Sequence, residues 1–151
     1  MMSFNIEKMN EEHVSAIARI EELCFSTPWS ENSLSEEIDN PLGRFFVLVT
    51  EDKVAGYIGA HNVVGEVYIT NVAVHPDYRG KGFAKALIKR LIDDNRSADG
   101  FVTLEVRESN TPARSLYSSL GFKEVGMRKN FYERPTEDAI LMTYYYGEGN
   151  E

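Results

Sequence analysis

Glu105 stands in the middle of FVTLEVR, residues 101–107. Alternation puts Val102, Leu104 and Val106 on one face of this run and Phe101, Thr103, Glu105 and Arg107 on the other. A carboxylate at the centre of an interior strand is costly unless it is solvated or paired. Three readings fit: an ion pair with Arg107, a half-exposed strand face, or a general base facing a cleft. Tyr117 follows in a short helical pattern in which Ala113, Leu116, Tyr117 and Leu120 repeat at i, i+3, i+4 and i+7, so its ring points inward. A phenol has an ordinary pKa of about 10 and is protonated at neutral pH. It is therefore either a core residue or a general acid suited to a departing thiolate. Asn110, just before that helix, is either a turn or cap residue or an amide that bonds a cofactor.

A second group of residues addresses anions. Val72, Ala73 and Val74 end a β-branched, nearly uncharged run (EVYITNVAV). Arg79, Gly80, Lys81, Gly82, Phe83, Ala84 and Lys85 then form a glycine-bearing loop that opens a helix. Unpaired amides at a helix start, with the helix dipole behind them, make an anion site. Between Arg79 and Arg90 there are five basic residues and no acidic one, in a chain whose net charge is −8. That contrast points to a polyanionic ligand such as a pyrophosphate; the plain alternative is a solvated basic helix face.

Other chemistries find less support. Cys24 is the only cysteine, so no intrachain disulfide forms, and no histidine stands in a nucleophile-pairing motif with it. His13, His61 and His75 lack metal-ligand spacing, and no metal is expected. Glu66 is a further carboxylate, at the far end of its strand from the glycine loop. The acidic balance disfavours nucleic acid as a partner but suits a basic peptide. There is no apolar signal core and no run able to span a bilayer, so the expected location is a reducing cytoplasm. Met1-Met2 leaves the start open by one residue.

The elements that must hold these residues follow from the same string, and the 151 residues are expected to form a single domain, 1–151. Residues 4–9 read as a strand. Asn10 caps a helix over 13–24 with Val14, Ile17, Ala18 and Leu23 on its apolar side, and Ser30 caps a second over 31–39. Strands at 44–50 and 54–63 lead into the strand before the glycine loop. The basic helix is expected over 82–97, with Ala84, Leu87, Ile88, Leu91 and Ile92 as its buried stripe. Strand 101–107 follows. A helix capped by Thr111 with Pro112 at its first position then ends at Gly121. Two closing strands at 122–134 and 139–146 precede a frayed end at 147–151. The order β-α-α-β-β-β-α-β-α-β-β gives a mixed sheet with helices on both faces.

Taken in this order, the strand ending Val-Ala-Val, Arg79-x-x-Gly82-x-Ala84, the strand–Asn110–helix passage and Leu116-Tyr117-x-x-Leu120-Gly121-Phe122 resemble the GNAT superfamily of N-acetyltransferases. The resemblance runs over nearly the whole chain. Within the superfamily the chain is most similar to the ribosomal-protein-alanine type, through residues 24–30 (CFSTPWS), 104–110 (LEVRESN), 128–132 (RKNFY) and 137–142 (EDAILM). It departs from common family patterns at Arg79, often glutamine, at Ala84, often glycine, and at the pair Phe131-Tyr132, in place of two tyrosines.

The resemblance implies an α/β (α+β, mixed) fold: a twisted mixed sheet of about seven strands with four helices, splayed at the fourth and fifth strands. It implies acetyl-CoA as cosubstrate, held by Val72 to Val74, by the loop from Arg79 to Lys85 and by Asn110. Glu105 is then the proton acceptor and Tyr117 the proton donor, with Trp29 and Tyr132 at the acceptor. The implied partner is a ribosomal protein N-terminus, its terminal amine attacking the thioester directly. Two other readings remain: another amine acceptor (a lysine side chain, a polyamine or an aminoglycoside), or an acetyl-CoA-binding module without catalysis. Dinucleotide binding fits less well, because Gly80-x-Gly82 lacks a third glycine and follows three earlier strands.

Overall fold

The computed structural model describes residues 3–147; the start at Met1 or Met2 and, of the expected frayed end at 147–151, all but Gly147 lie outside the described residues. The elements run β1 (Asn5–Lys8), α1 (Glu11–Cys24), α2 (Glu31–Ile38), β2 (Gly43–Thr50), β3 (Lys53–Val63), β4 (Glu66–Val74), a 3₁₀ turn (Pro76–Tyr78), α3 (Phe83–Asp94), β5 (Phe101–Arg107), α4 (Thr111–Ser119), β6 (Lys123–Tyr132) and β7 (Glu137–Tyr145). The seven strands are ordered β1-β2-β3-β4-β5-β7-β6. The β4–β5 pair is parallel, whereas β1–β2, β2–β3, β5–β7 and β6–β7 are antiparallel, which makes the sheet mixed. The β4–β5 register ends at Tyr68↔Thr103, while β5 continues along β7 to Arg107.

The described residues form two compact units, one of residues 3–62 and 69–94, the other of 63–68 and 95–147. In the first, β2 is covered on both faces. Phe45 and Val47 join Val14, Ile17, Ile20, Leu34 and Tyr57 in one buried cluster with α1 and α2. The alternate residue Phe46 lies under the Arg90 guanidinium of α3, 5.1 Å from its ring centroid. In the second unit Val102, Leu104 and Val106 of β5 are buried, as are Ala139, Ile140 and Met142 of β7.

Local chemistry explains the ends. Asn10 and Ser30 cap α1 and α2 as expected, accepting from Glu12 N–H and Ser33 N–H respectively. Helix α4 is capped one residue earlier than expected, by Asn110, whose Oδ1 accepts from Ala113 N–H at 3.3 Å, so Thr111 is the first helical residue. Helix α3 stops at Asp94 rather than at 97, because Asp93 and Asp94 bring negative charge to the negative end of the helix dipole. Phe83 instead of Ala84 heads its buried stripe. On α1, Leu23 is exposed; Ile20 and, unexpectedly, Glu21 face inward.

Candidate active site

Strand β5 presents the first group. Its side chains alternate as read: Val102, Leu104 and Val106 are buried, and Glu105 stands on the half-open face with its side chain 30% exposed. The carboxylate's ion-pair partner is Arg128 of β6, with Nε 3.5 Å from Oε1, and not Arg107.

Arg107 is occupied elsewhere. Its guanidinium donates to Pro135 O at 2.9 Å and Glu133 O at 3.1 Å, pairs with Glu137 Oε1 at 3.2 Å and lies 4.4 Å from the Tyr132 ring centroid. One cation thus fixes the whole β6–β7 turn and places Tyr132. Tyr132 in turn is pushed up to about 12, by burial first and then by the Glu105 carboxylate, against the opposing pull of Arg107.

Tyr117 sits on the inner face of α4, where its ring lies 5.6 Å from that of Phe122. Burial pushes its phenol up to about 12, with Tyr132 as the second cause. Glu105, Tyr132 and Tyr117 therefore share one electrostatic neighbourhood, built by β5, β6 and α4. The arrangement offers a solvent-reached carboxylate to accept a proton and a phenol that stays protonated at any physiological pH.

The second group lies on the other unit. His75 N–H donates to Ala55 O at 2.7 Å, anchoring the end of β4 beyond Val72, Ala73 and Val74. Gly80 and Gly82 have φ of 78° and 80°, a region in which a side chain is strained, and a Cβ at either would meet no atom within 4 Å. The glycines are there for the backbone path, and the loop surface is open. Ala86 N–H makes the first bond into the helix, to Gly82 O at 3.1 Å, which leaves the amides of Phe83, Ala84 and Lys85 without an acceptor inside it.

Two of the five basic residues do not face this loop. Arg79 folds back, donating to Val74 O at 3.3 Å and reaching Cys24 Sγ at 3.2 Å. Arg90 pairs with Asp94 at 2.9 Å and donates to Ile6 O at 3.1 Å. Lys81, Lys85 and Lys89 are exposed. Trp29, in the loop between α1 and α2, packs against the buried cluster and lies 5.9 Å from Phe45, ring to ring.

Sequence reasoning passed over Glu21, Arg128 and the hairpin role of Arg107. The first carried a signal: Glu21 falls at i+4 from Ile17 and i+7 from Val14, on the buried stripe. Among the described residues no cluster of His, Cys, Asp and Glu could hold a metal ion, and no helix is long and apolar enough to cross a membrane.

Each unit thus carries one of the two groups: an open glycine loop at a helix start in the first, and a half-exposed carboxylate near a buried, protonated phenol in the second. Residues 14–122 match the acetyltransferase (GNAT) family, and the chain belongs to that family of enzymes. It is 36% identical over 144 residues to the [ribosomal protein bS18]-alanine N-acetyltransferase of Escherichia coli strain K12, covering 91% of this chain and 94% of that one. The crystal structure of the ribosomal-protein-S18-alanine N-acetyltransferase from Escherichia coli superposes with a TM-score of 0.88 at 33% identity, over 95% of this chain and 94% of that one. Arabidopsis thaliana NAA60 in complex with acetyl-CoA shares the fold, with a TM-score of 0.83 at 20% identity over 95% of this chain and 99% of that one.

Proposed function

We propose that the protein transfers the acetyl group of acetyl-CoA to the α-amine of an N-terminal alanine on a small-subunit ribosomal protein, in the cytoplasm and as one catalytic domain. The observation that carries this reading is the grouping of Glu105 and Tyr117 around Tyr132, with the first open to water and the second held protonated. The names of the relatives support the acceptor.

The amides from Gly80 to Lys85, with the Lys81 and Lys85 ammonium groups, bind the pyrophosphate of acetyl-CoA. Arg79 contributes by closing the base of the loop, since its guanidinium is spent on Val74 O and Cys24 Sγ. Val72, Ala73 and Val74 offer backbone to the pantetheine arm, and Asn110, with its Oδ1 on Ala113, offers its amide N–H2. A strand amide near Val72 stabilises the oxyanion as the amine adds to the thioester carbonyl.

Glu105 takes the proton the amine loses, directly or through a water, and Tyr117 gives one to the sulfur as the C–S bond breaks. An α-amine has an ordinary pKa near 7.7–8.0 against about 10.4 for lysine, so deprotonating it near neutrality is easier by about 3.5 kcal/mol. Trp29 and Tyr132 contact the peptide.

The test is acetyl transfer to two peptides: one with the ribosomal sequence and a free N-terminal alanine, the other with a blocked terminus and a free internal lysine. Wild type is expected to use only the first. Glu105→Gln and Tyr117→Phe should each lower kcat by about 10²–10⁴ with acetyl-CoA affinity unchanged. Cofactor binding with no transfer to either peptide would overturn the peptide acceptor and leave small amines or a binding role.

A further inference from the structure

Glu21 is fully buried, at 0% exposure, in the core of its unit. Its carboxylate is satisfied without a cation. Oε1 accepts from Trp29 N–H at 2.9 Å, and Oε2 accepts from Tyr57 O–H at 2.6 Å and from Asn71 Nδ2 at 2.9 Å. Those donors come from three places: the loop between α1 and α2, the middle of β3, and β4 at the residue before Val72.

Burying a carboxylate costs several kcal/mol against a hydrophobic side chain of similar size. A core built for stability alone would place a leucine at this point of the α1 stripe. What a leucine lacks is the ability to hold a loop amide and a strand amide side chain at once. Trp29 is immediately followed by Ser30, which caps α2, so fixing the Trp29 amide fixes the end of the whole 25–30 loop. The hydroxyl of Tyr57 has its pKa raised by burial and by Glu21, and stays a donor to the carboxylate throughout.

We infer that Glu21 is a positioning residue that ties the Trp29 loop to strand β4 beside Val72, setting where the acceptor peptide rests relative to the strand that receives the thioester. The inference rests on the acceptor reading of Trp29 given above. It assigns Glu21 an effect on acceptor binding, with the proton transfers left to Glu105 and Tyr117.

The experiment uses Glu21→Gln, which keeps the shape but leaves one acceptor oxygen where the carboxylate offers two to the Trp29, Tyr57 and Asn71 donors. With the loop less firmly held, the acceptor KM is expected to rise about tenfold (about 1.4 kcal/mol), with kcat and the acetyl-CoA KM changed by less than about twofold. Adding Asn71→Asp restores complementary polarity and should return the acceptor KM to near the wild-type value. A second readout needs no acceptor at all. Trp29 is the only tryptophan, so its fluorescence and its quenching by acrylamide report the loop alone. Glu21→Gln should make Trp29 more quenchable in the folded protein, and Asn71→Asp should reverse this.

If Glu21→Gln does not fold, Asn71→Ala, which removes only the strand contact, should show the same two changes in smaller size. A folded variant with wild-type Trp29 quenching and wild-type acceptor KM overturns the inference, even if its Tm is lowered. If wild type acetylates neither peptide, the acceptor reading has failed on its own, and Trp29 quenching decides whether Glu21 holds the loop.

Discussion

Arg128 Nε stands 3.5 Å from Glu105 Oε1, and the two side chains are 55% and 30% exposed. Water reaches both, so the pair is screened and contributes less than about 1 kcal/mol. The arrangement keeps a cation beside the carboxylate while leaving both open to water. Arg128→Ala is therefore expected to lower stability by less than about 1 kcal/mol in urea unfolding. A loss of several kcal/mol would mean that the pair is dehydrated and that Glu105 is closed to an incoming amine.

Tyr117 gives a pH dependence of definite sign. Its ordinary value is 10.0 and the fold raises it to about 12. Below pH 10 the phenol is protonated in both the folded and unfolded chains. Above pH 10 the unfolded chain loses the proton first, so stability falls as pH rises from 10 to about 12, by about 1.4 kcal/mol per pH unit for one such group. Tyr117→Phe should flatten that part of the slope, measured by chemical denaturation across the range. The same shift predicts no decline in kcat from this residue below pH 10.

At the acid end the group to watch is Glu137. Hydrogen bonds from Ser109, including its N–H at 2.6 Å, and then the Arg107 guanidinium hold its carboxyl below the ordinary 4.5. A depressed carboxyl contributes stability that is present above its unfolded value and is lost as pH falls through its folded one. Glu137→Gln should remove part of the acid sensitivity below pH 4.5. Because Arg107 then loses its anionic partner and is held over the Tyr132 ring by its carbonyl contacts alone, the acceptor KM should rise with it. An unchanged acid profile would show that the turn is held by backbone bonds alone.

Val64 offers a gain. It sits with φ of 53° in the turn between β3 and β4, next to Gly65 at φ 88°, and is 98% exposed. A β-branched residue in the left-handed region costs about 1–2 kcal/mol, and at this exposure the side chain returns nothing by packing. Val64→Asn, which suits a turn with both φ positive, should raise stability by about 1 kcal/mol and leave transfer rates unchanged. A lower Tm would show that the valine has a contact in solution.

The element order was legible because punctuation is local. Asn10 and Ser30 before apolar periodicity, Pro112 at a helix start and Gly121 at its end act within one turn of the chain. The face of β5 carrying Glu105 was legible for the same reason, since a strand alternates strictly. Partner choice was not. Arg107 and Arg128 compete for the carboxylates of a hairpin whose register, Arg128↔Ala139 and Arg107↔Ala139, is set by pairings far apart in sequence. Arg79 and Arg90 are long enough to point either way, and carbonyls at Val74 and Ile6 decide it. Glu21 gave contrary signals, an apolar position with a charged side chain. Tyr57 and Asn71, 36 and 50 residues away, resolve them together with the Trp29 amide.

Strand β6 ends the strand order and is exposed from Lys123 to Phe131. An open edge of that length is ordinarily a template onto which another chain can add a strand. Here the ladder is broken twice, between Glu124 and Gly126 and again between Arg128 and Tyr132. Lys123, Arg128 and Lys129 set like charges along the run. A second copy brought alongside would find no continuous row of bonds and would meet its own cations. An edge interrupted in this way is a poor template for strand addition, long and bare as it is.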